Sequence, residues 1–300
     1  MRIFLTGATG FIGSQIVPQL LGAGHQVLGL TRSDAGAKAL VEAGVEPHRG
    51  TLEDLESLSA GAAQADAVIH TAFDHDFSNF LANCEKDRRA IGALGGALAG
   101  ADRPLVITSG TGMGNAELGR PATEDVFNLD HPNPRAASEL AGAELSAAGV
   151  KVVVVRLPQV HDTHRQGLVS PFIEIARQKG VSAYVGEGLN RWPAAHVSDV
   201  ALLYRLAVEQ GQAGERFNAV DEEGLSARDI AAVVGNGLGV PVVSLSPEQA
   251  GEHFGWLGWA VGLDMPASSA WTRERLGWRP VGPGMIADLE QMDYGAAARP

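Results

Sequence analysis

Residues 3–13 read Ile3-Phe4-Leu5-Thr6-Gly7-Ala8-Thr9-Gly10-Phe11-Ile12-Gly13, and Ile16, Val17 and Leu20 follow. This is an apolar strand, a turn with a glycine at every third position, and a helix with one apolar face. Gly7 permits the tight turn, Gly10 lets the backbone approach a phosphate, and Gly13 packs the helix on the strand. Free N–H groups and the positive end of the helix dipole then face a pyrophosphate. Glycines at this spacing also serve close helix packing, so the strand before and the helix after decide the reading. A bound dinucleotide is expected, contacted by Gly7, Thr9, Gly10, Phe11, Ile12 and Gly13.

Outward from this turn, strand and helix signals alternate through residue 156. Apolar strands are expected at 3–6, 26–31, 67–71, 104–109 and 151–156, with a weaker one near 45–48. Helical patterns lie between them at about 12–21, 35–42, 52–59, 77–98 and 134–147. Val152-Val153-Val154-Val155 is apolar on both faces, as a parallel strand covered by helices on both sides must be. The fold class is therefore α/β, a Rossmann-type doubly wound parallel sheet with a smaller interleaved C-terminal α/β lobe. Beyond Leu157, helices are expected at 169–178, 197–208 and 227–237, a short strand at 216–219, and small helices around Trp256, Trp271 and Leu276. Residues 1–157, with the strand near 216–220, form the expected dinucleotide-binding unit. Residues 158–215 and 221–300 form the substrate-side lobe, closing a cleft over the carboxyl ends of the strands.

Bulk properties narrow the partners. At 300 residues, 45% hydrophobic and 19% charged, the chain has the composition of an ordinary globular protein. Its formal net charge of −12 disfavours nucleic acid or an anionic membrane surface, both of which select basic patches. One cysteine, Cys84, excludes internal disulfides and a cysteine-built zinc cage. The chain enters a strand without a charged-then-apolar leader, and no apolar stretch reaches membrane-spanning length. A cytoplasmic location and a small-molecule substrate are expected, with a homodimer as the assembly open to such folds.

The end of the second strand bears on the cofactor. A carboxylate there binds a ribose 2′-hydroxyl, whereas a cation accommodates a 2′-phosphate. Here the residues are Thr31-Arg32-Ser33, with no carboxylate before Asp34. Arg32 offers a planar fork for phosphate, and Thr31 and Ser33 add hydroxyls. NADP is the expected cofactor and NAD the alternative, since an arginine at a strand end also serves simply as a solvated charge.

Several segments resemble the extended short-chain dehydrogenase/reductase superfamily, the NAD(P)-dependent epimerase/dehydratase group. They are the 6–13 turn, Val68-Ile69-His70-Thr71-Ala72-Phe73, Ile107-Thr108-Ser109-Gly110-Thr111, Val155-Arg156-Leu157-Pro158-Gln159-Val160 and His196-Val197-Ser198-Asp199-Val200-Ala201. The resemblance implies that Thr71, Ala72 and Phe73 line the cofactor, with Thr108 beside them. It places Leu52 near the adenine, Pro158 and Val160 at the nicotinamide amide, and Ser109 at the position of the catalytic serine.

The family's Tyr, followed four residues later by Lys, is missing. Aligning Ser138-Glu139 with the family's Ser-Lys puts Arg135 at the Tyr position and Glu139 at the Lys position. Arginine stays protonated, so Arg135 cannot shuttle a proton; it can stabilise a developing oxyanion. Glu139 can accept hydrogen bonds from ribose hydroxyls, or the two residues can be a plain i,i+4 pair on one helix face. Where the family usually carries Asn, the long fourth helix offers Asp87. The pattern resembles an atypical subgroup that lacks the Tyr-Lys pair.

Remaining candidates for chemistry are few. Ser109 is placed to hydrogen-bond a carbonyl, or else caps the strand end. In Asp74-His75-Asp76, His75 titrates near neutrality and is expected at the cleft mouth. His161, just past the nicotinamide-facing strand, has a similar claim, His164 and His196 are further titratable candidates, and His161-Asp162-Thr163-His164 lacks a third metal ligand, so no metal is expected. Arg191 and Trp192 are expected to border the substrate. The catalytic set is Ser109, Arg135, Asp87 and His75, in an NADP-dependent oxidoreductase or epimerase-like enzyme acting on a small carbonyl or hydroxyl compound with a non-standard proton relay. A non-catalytic NADP(H)-binding sensor or scaffold is the alternative.

Overall fold

The computed structural model describes residues 1–117, 119–128 and 130–295. Its first half alternates strand and helix: β1 (Arg2–Thr6), α1 (Gly13–Gly22), β2 (Gln26–Thr31), α2 (Asp34–Glu42), β3 (Glu46–Arg49), α3 (Leu55–Ala63), β4 (Ala67–His70), α4 (Phe80–Gly96), β5 (Leu105–Gly110), α5 (Ala136–Ala147) and β6 (Val152–Leu157). The second half carries β7 (Gln159–His161), α6 (Val169–Lys179), β8 (Ser182–Val185), β9 (Arg191–His196), α7 (Val197–Gln210), β10 (Arg216–Asn218), β11 (Glu222–Ser226) and α8 (Ala227–Leu238). It ends with β12 (Val242–Leu245), α9 (Pro247–Phe254), α10 (Gly258–Val261), α11 (Ala270–Leu276) and α12 (Met285–Gln291).

Seven strands form one parallel sheet in the order β10-β6-β5-β4-β1-β2-β3. The order reverses between β1 and β4, and in such sheets a crevice opens there outside the carboxyl ends of the strands. One apolar core joins α1 and α7 to the sheet through Ile16, Leu20, Val200 and Leu203. A second joins α3, α4 and α5 to the opposite face through Leu58, Ile91, Leu94 and Ala141. Burial on both faces is why the strands read as unbroken apolar runs.

The later segments build a third core, with Phe172, Trp192, Ile230 and Leu257 buried between α6, α8, α9 and two small sheets. These sheets are β11-β9-β7 and β12-β8. The strands β7, β8, β9, β11 and β12 lie outside the sequence-based expectations, because short mixed segments acquire strand character from their partners. The expected helix at 52–59 instead starts at Leu55, where the Asp54 side chain accepts the Ser57 N–H. The expected helix at 77–98 divides into a 3-10 turn, Phe77–Asn79, and α4. No helix among the described residues is long and apolar enough to cross a membrane.

Candidate active site

The glycine turn and the end of β4 are built against each other. Gly7 has φ +73°, and a Cβ there would lie 2.8 Å from Thr71 Oγ1 and 2.9 Å from the Ala72 nitrogen. Only glycine meets both demands. A Cβ on Gly13 would sit 2.0 Å from the Gly7 oxygen, which fixes how closely α1 approaches the turn. Thr71 Oγ1 donates to the Thr6 oxygen at 2.8 Å, and the Ala72 N–H donates to Thr6 Oγ1 at 3.3 Å. Gly10 and Thr9 are exposed. The Phe11 and Ile12 amides donate to no described residue.

Behind this turn runs a buried polar chain. Thr6 Oγ1 is 2.7 Å from His70 Nδ1, and His70 Nε2 is 3.0 Å from Asp87 Oδ1. Asp87 Oδ2 accepts from Ser138 Oγ at 2.6 Å and from Arg135 Nη1 at 2.5 Å. Arg135 Nη1 also bonds Ser138 Oγ, and Nη2 donates to the Thr108 oxygen at 3.1 Å. The guanidinium lies 4.2 Å from the Phe73 ring centroid. Burial pushes the Asp87 pKa up, but Arg135, His70 and Ser138 outweigh it and hold the carboxyl well below the usual range. Asp87 therefore stays ionised; it positions Arg135 and supplies no proton near neutrality.

Ser109 ends the buried part of β5, and its Oγ is enclosed without a hydrogen-bond partner among the described residues. Thr108 beside it turns inward: its Oγ1 donates to the His70 oxygen at 2.7 Å and lies 2.6 Å from the Tyr204 hydroxyl. Burial raises the Tyr204 pKa, so that phenol stays protonated. His75 lies on the loop after β4, at the mouth. The residue is exposed, yet the surrounding protein, then the charge of Arg135, lowers its pKa and favours the neutral ring at pH 7. Cys84 is buried, and desolvation pushes its thiol up to about 11, so it is no nucleophile.

Three expectations are corrected. Glu139 neither faces a ribose nor pairs with Arg135. It is buried in a two-pronged ion pair with Arg156, 2.8 Å on each oxygen, with Arg216 at 3.2 Å. Arg191 does not wait for an anion, because Asp264 holds it at 2.7 and 3.0 Å. Trp192 is not a rim aromatic; it is 4% exposed within the third core.

The histidines also find structural partners. His161 is fully buried, its Nδ1 2.7 Å from Asp288 Oδ2. His196 caps α7 by accepting the Ser198 N–H, and Asp199 accepts from the Val281 and Gly282 amides. No group of three or more metal-ligating side chains stands together among the described residues. Arg165, unremarked in the sequence, lies 5.8 Å from the Phe11 ring on the glycine turn.

Residues 3–219 match the family model described as the NAD dependent epimerase/dehydratase family. The chain belongs to this family. It is 46% identical to an uncharacterized protein of Schizosaccharomyces pombe, covering 98% of this chain and 100% of that one. It is 40% identical to an uncharacterized protein of Saccharomyces cerevisiae, covering 96% and 98%. Among solved structures it resembles a UDP-glucose 4-epimerase of Thermus thermophilus in complex with NAD. The TM-score is 0.75 at 24% identity, over 99% of this chain and 100% of that one.

The residues at the epimerase/dehydratase family's cofactor position fit a dinucleotide. Gly10 spends its own N–H on the Gly7 oxygen at 2.8 Å, whereas the Phe11 and Ile12 amides at the start of α1 donate to no described residue and are free to meet an anion. Arg32 at the end of β2 is exposed and makes no ion pair with a described residue, while Asp34 is engaged by Arg49 at 3.0 Å. Ser33 caps α2 by accepting the Gly36 N–H, and the buried Thr31 donates to the Ser33 oxygen at 3.4 Å, so both shape the turn that carries Arg32. Leu52 packs at the edge of the second core, Val160 is buried in β7, and Pro158 joins β6 to β7.

Proposed function

We propose that the chain is an NADP-dependent oxidoreductase or epimerase-like enzyme acting on a small carbonyl or hydroxyl compound. The nicotinamide, when bound, supplies hydride chemistry. The glycine turn with Thr71, Ala72, Phe73, Leu52, Pro158 and Val160 holds it, and Arg32, on the turn built by Thr31 and Ser33, meets the 2′-phosphate.

One observation carries the catalytic reading: the Ser109 hydroxyl is buried at the carboxyl end of β5 with no partner. Leaving such a group unpaired costs roughly 1–3 kcal/mol, a cost that a substrate oxygen accepting its hydrogen bond removes. Arg135, anchored through Asp87 and Thr108, supplies fixed positive charge for a developing oxyanion. It holds its proton throughout. His75, neutral at the mouth, is the side chain left to move one.

A second reading has its own support. Arg135, at the family's Tyr position, is fully engaged with Asp87, Ser138 and Thr108, as in a cofactor-binding sensor without turnover. Screening NADPH oxidation with aldehydes and ketones, wild type beside Ser109→Ala, separates the two. Turnover that falls in the variant supports the enzyme. Tight NADPH binding with no turnover on any carbonyl compound replaces it with the sensor.

A further inference from the structure

An aromatic chain runs from the loop after β4, beyond the carboxyl end of the sheet, to the segment after α9. Its inner end is Phe73, under the Arg135 guanidinium. It passes to His75 at 5.4 Å and Phe77 at 6.3 Å, and ends on Trp256, stacked on Phe77 at 4.9 Å and 15°. Phe80, at the start of α4, braces it 6.2 Å from Phe73 and 5.7 Å from Phe77. Phe77 and Trp256 remain 36% and 47% exposed. Two separate loops thus bring large aromatic rings to solvent at one place beside the reacting groups, where contiguous apolar surface marks a ligand.

The charges nearby disfavour a diphosphate-bearing substrate. Asp264 neutralises Arg191, Asp87 neutralises Arg135, and Lys86 is held between Asp74 and Glu53 at 2.7 Å each. Arg165, over Phe11 on the glycine turn, makes no ion pair with a described residue and its charge reaches His75, but it is a single cation, short of what a diphosphate needs. A diphosphate draws its affinity from unpaired cations and charge-assisted hydrogen bonds. A flat ring draws it from offset and edge contacts with aromatic side chains.

We infer that the rim formed by Phe73, Phe77 and Trp256 selects a carbonyl compound with a flat apolar body, an aryl ketone or aldehyde, over a nucleotide sugar; this rests on the oxidoreductase reading. The aryl group lies against the three rings, and its carbonyl reaches inward to Ser109 and Arg135.

Calorimetric titration of the NADP+-saturated protein with acetonaphthone and with UDP-glucose tests the inference without turnover. Acetonaphthone is expected to bind more tightly. Phe77→Ala and Trp256→Ala are each expected to weaken it by about tenfold, the loss of one aromatic contact, while NADP+ affinity is retained and reports an intact fold. Tighter binding of UDP-glucose, or equal acetonaphthone affinity in wild type and both variants, overturns the inference. The two readings fail separately. Rim-dependent acetonaphthone binding with no NADPH oxidation supports the rim and ends the oxidoreductase reading. Oxidation driven by small aliphatic ketones with no acetonaphthone binding does the reverse.

Discussion

Arg135, in the turn before α5, reaches Asp87 on α4 with Nη1 2.5 Å from Oδ2. Their side chains are 14% and 1% exposed, so the pair sits in low dielectric and binds strongly only because further hydrogen bonds complete it. His70 and Ser138 supply them to Asp87, and Thr108 and Ser138 to Arg135. The glycine turn after β1 and the start of α5 are thereby joined through Thr6, His70 and Asp87 in one hydrogen-bonded unit.

Breaking this unit has a distinctive pH signature. Asp87→Ala leaves Arg135 and His70 without their acceptor and is expected to cost about 3–5 kcal/mol. The folded pKa of Asp87 is lowered, so its stabilisation is complete above the unfolded value of about 3.9 and is lost as pH falls toward the folded value. Urea unfolding across the acid range checks this. Wild type should lose stability below about pH 4 more steeply than Asp87→Asn, which does not titrate there. Equal slopes would remove Asp87 as the linked group.

Glu139 yields a second prediction, contrary to intuition from the family. Reinstating lysine there places a third cation against Arg156, which is fully buried, and beside Arg216. Glu139→Lys is expected to destabilise by at least about 3–5 kcal/mol, the cost of an uncompensated buried charge. Glu139→Gln, which keeps an acceptor, should lose less. Thermal melts of the two variants decide it, and a Glu139→Lys protein as stable as wild type would refute the assignment.

The reason this was hidden in the sequence is general. The glycine turn and the strands β1, β2, β4, β5 and β6 were legible because their determinants are local: apolar runs, turn glycines and helix periodicity. The sites depend on partners far along the chain. Arg135 finds Asp87 across 48 residues, and His161 finds Asp288 across 127. No local pattern marks either pairing, so Arg135 and Glu139 looked like neighbours on one helix face when each faces a different partner. β11 is not legible in the sequence because Glu222–Ser226 shows neither alternation nor an apolar run, and its pairing with β9 carries a register shift.

Ser109 offers a test that opposes function and stability. Its hydroxyl is enclosed and unpaired, so Ser109→Ala should leave the cofactor-free protein equally stable or raise its stability by up to about 1–3 kcal/mol. The same change should lower kcat/KM for a carbonyl substrate by roughly 10²-fold, as loss of one polarising donor does. A serine that merely caps the strand end would instead cost stability when removed. Melting temperature and single-substrate kinetics on one preparation distinguish the two.

The proposed preference for NADP over NAD rests on a single side chain. Arg32 is exposed, makes no ion pair with a described residue, and follows the strand whose end meets the adenosine ribose in this fold. A guanidinium–phosphate contact contributes about 1.5–3 kcal/mol, so Arg32→Ala should raise the Kd for NADPH by roughly 10- to 100-fold. NADH has no 2′-phosphate, and its Kd should not change. Raising salt should weaken NADPH binding to the wild type more than to the variant, because an exposed ion pair is screened. Parallel losses for NADPH and NADH would place Arg32 at the pyrophosphate or the fold itself, and the preference for NADP would then have no support at this position.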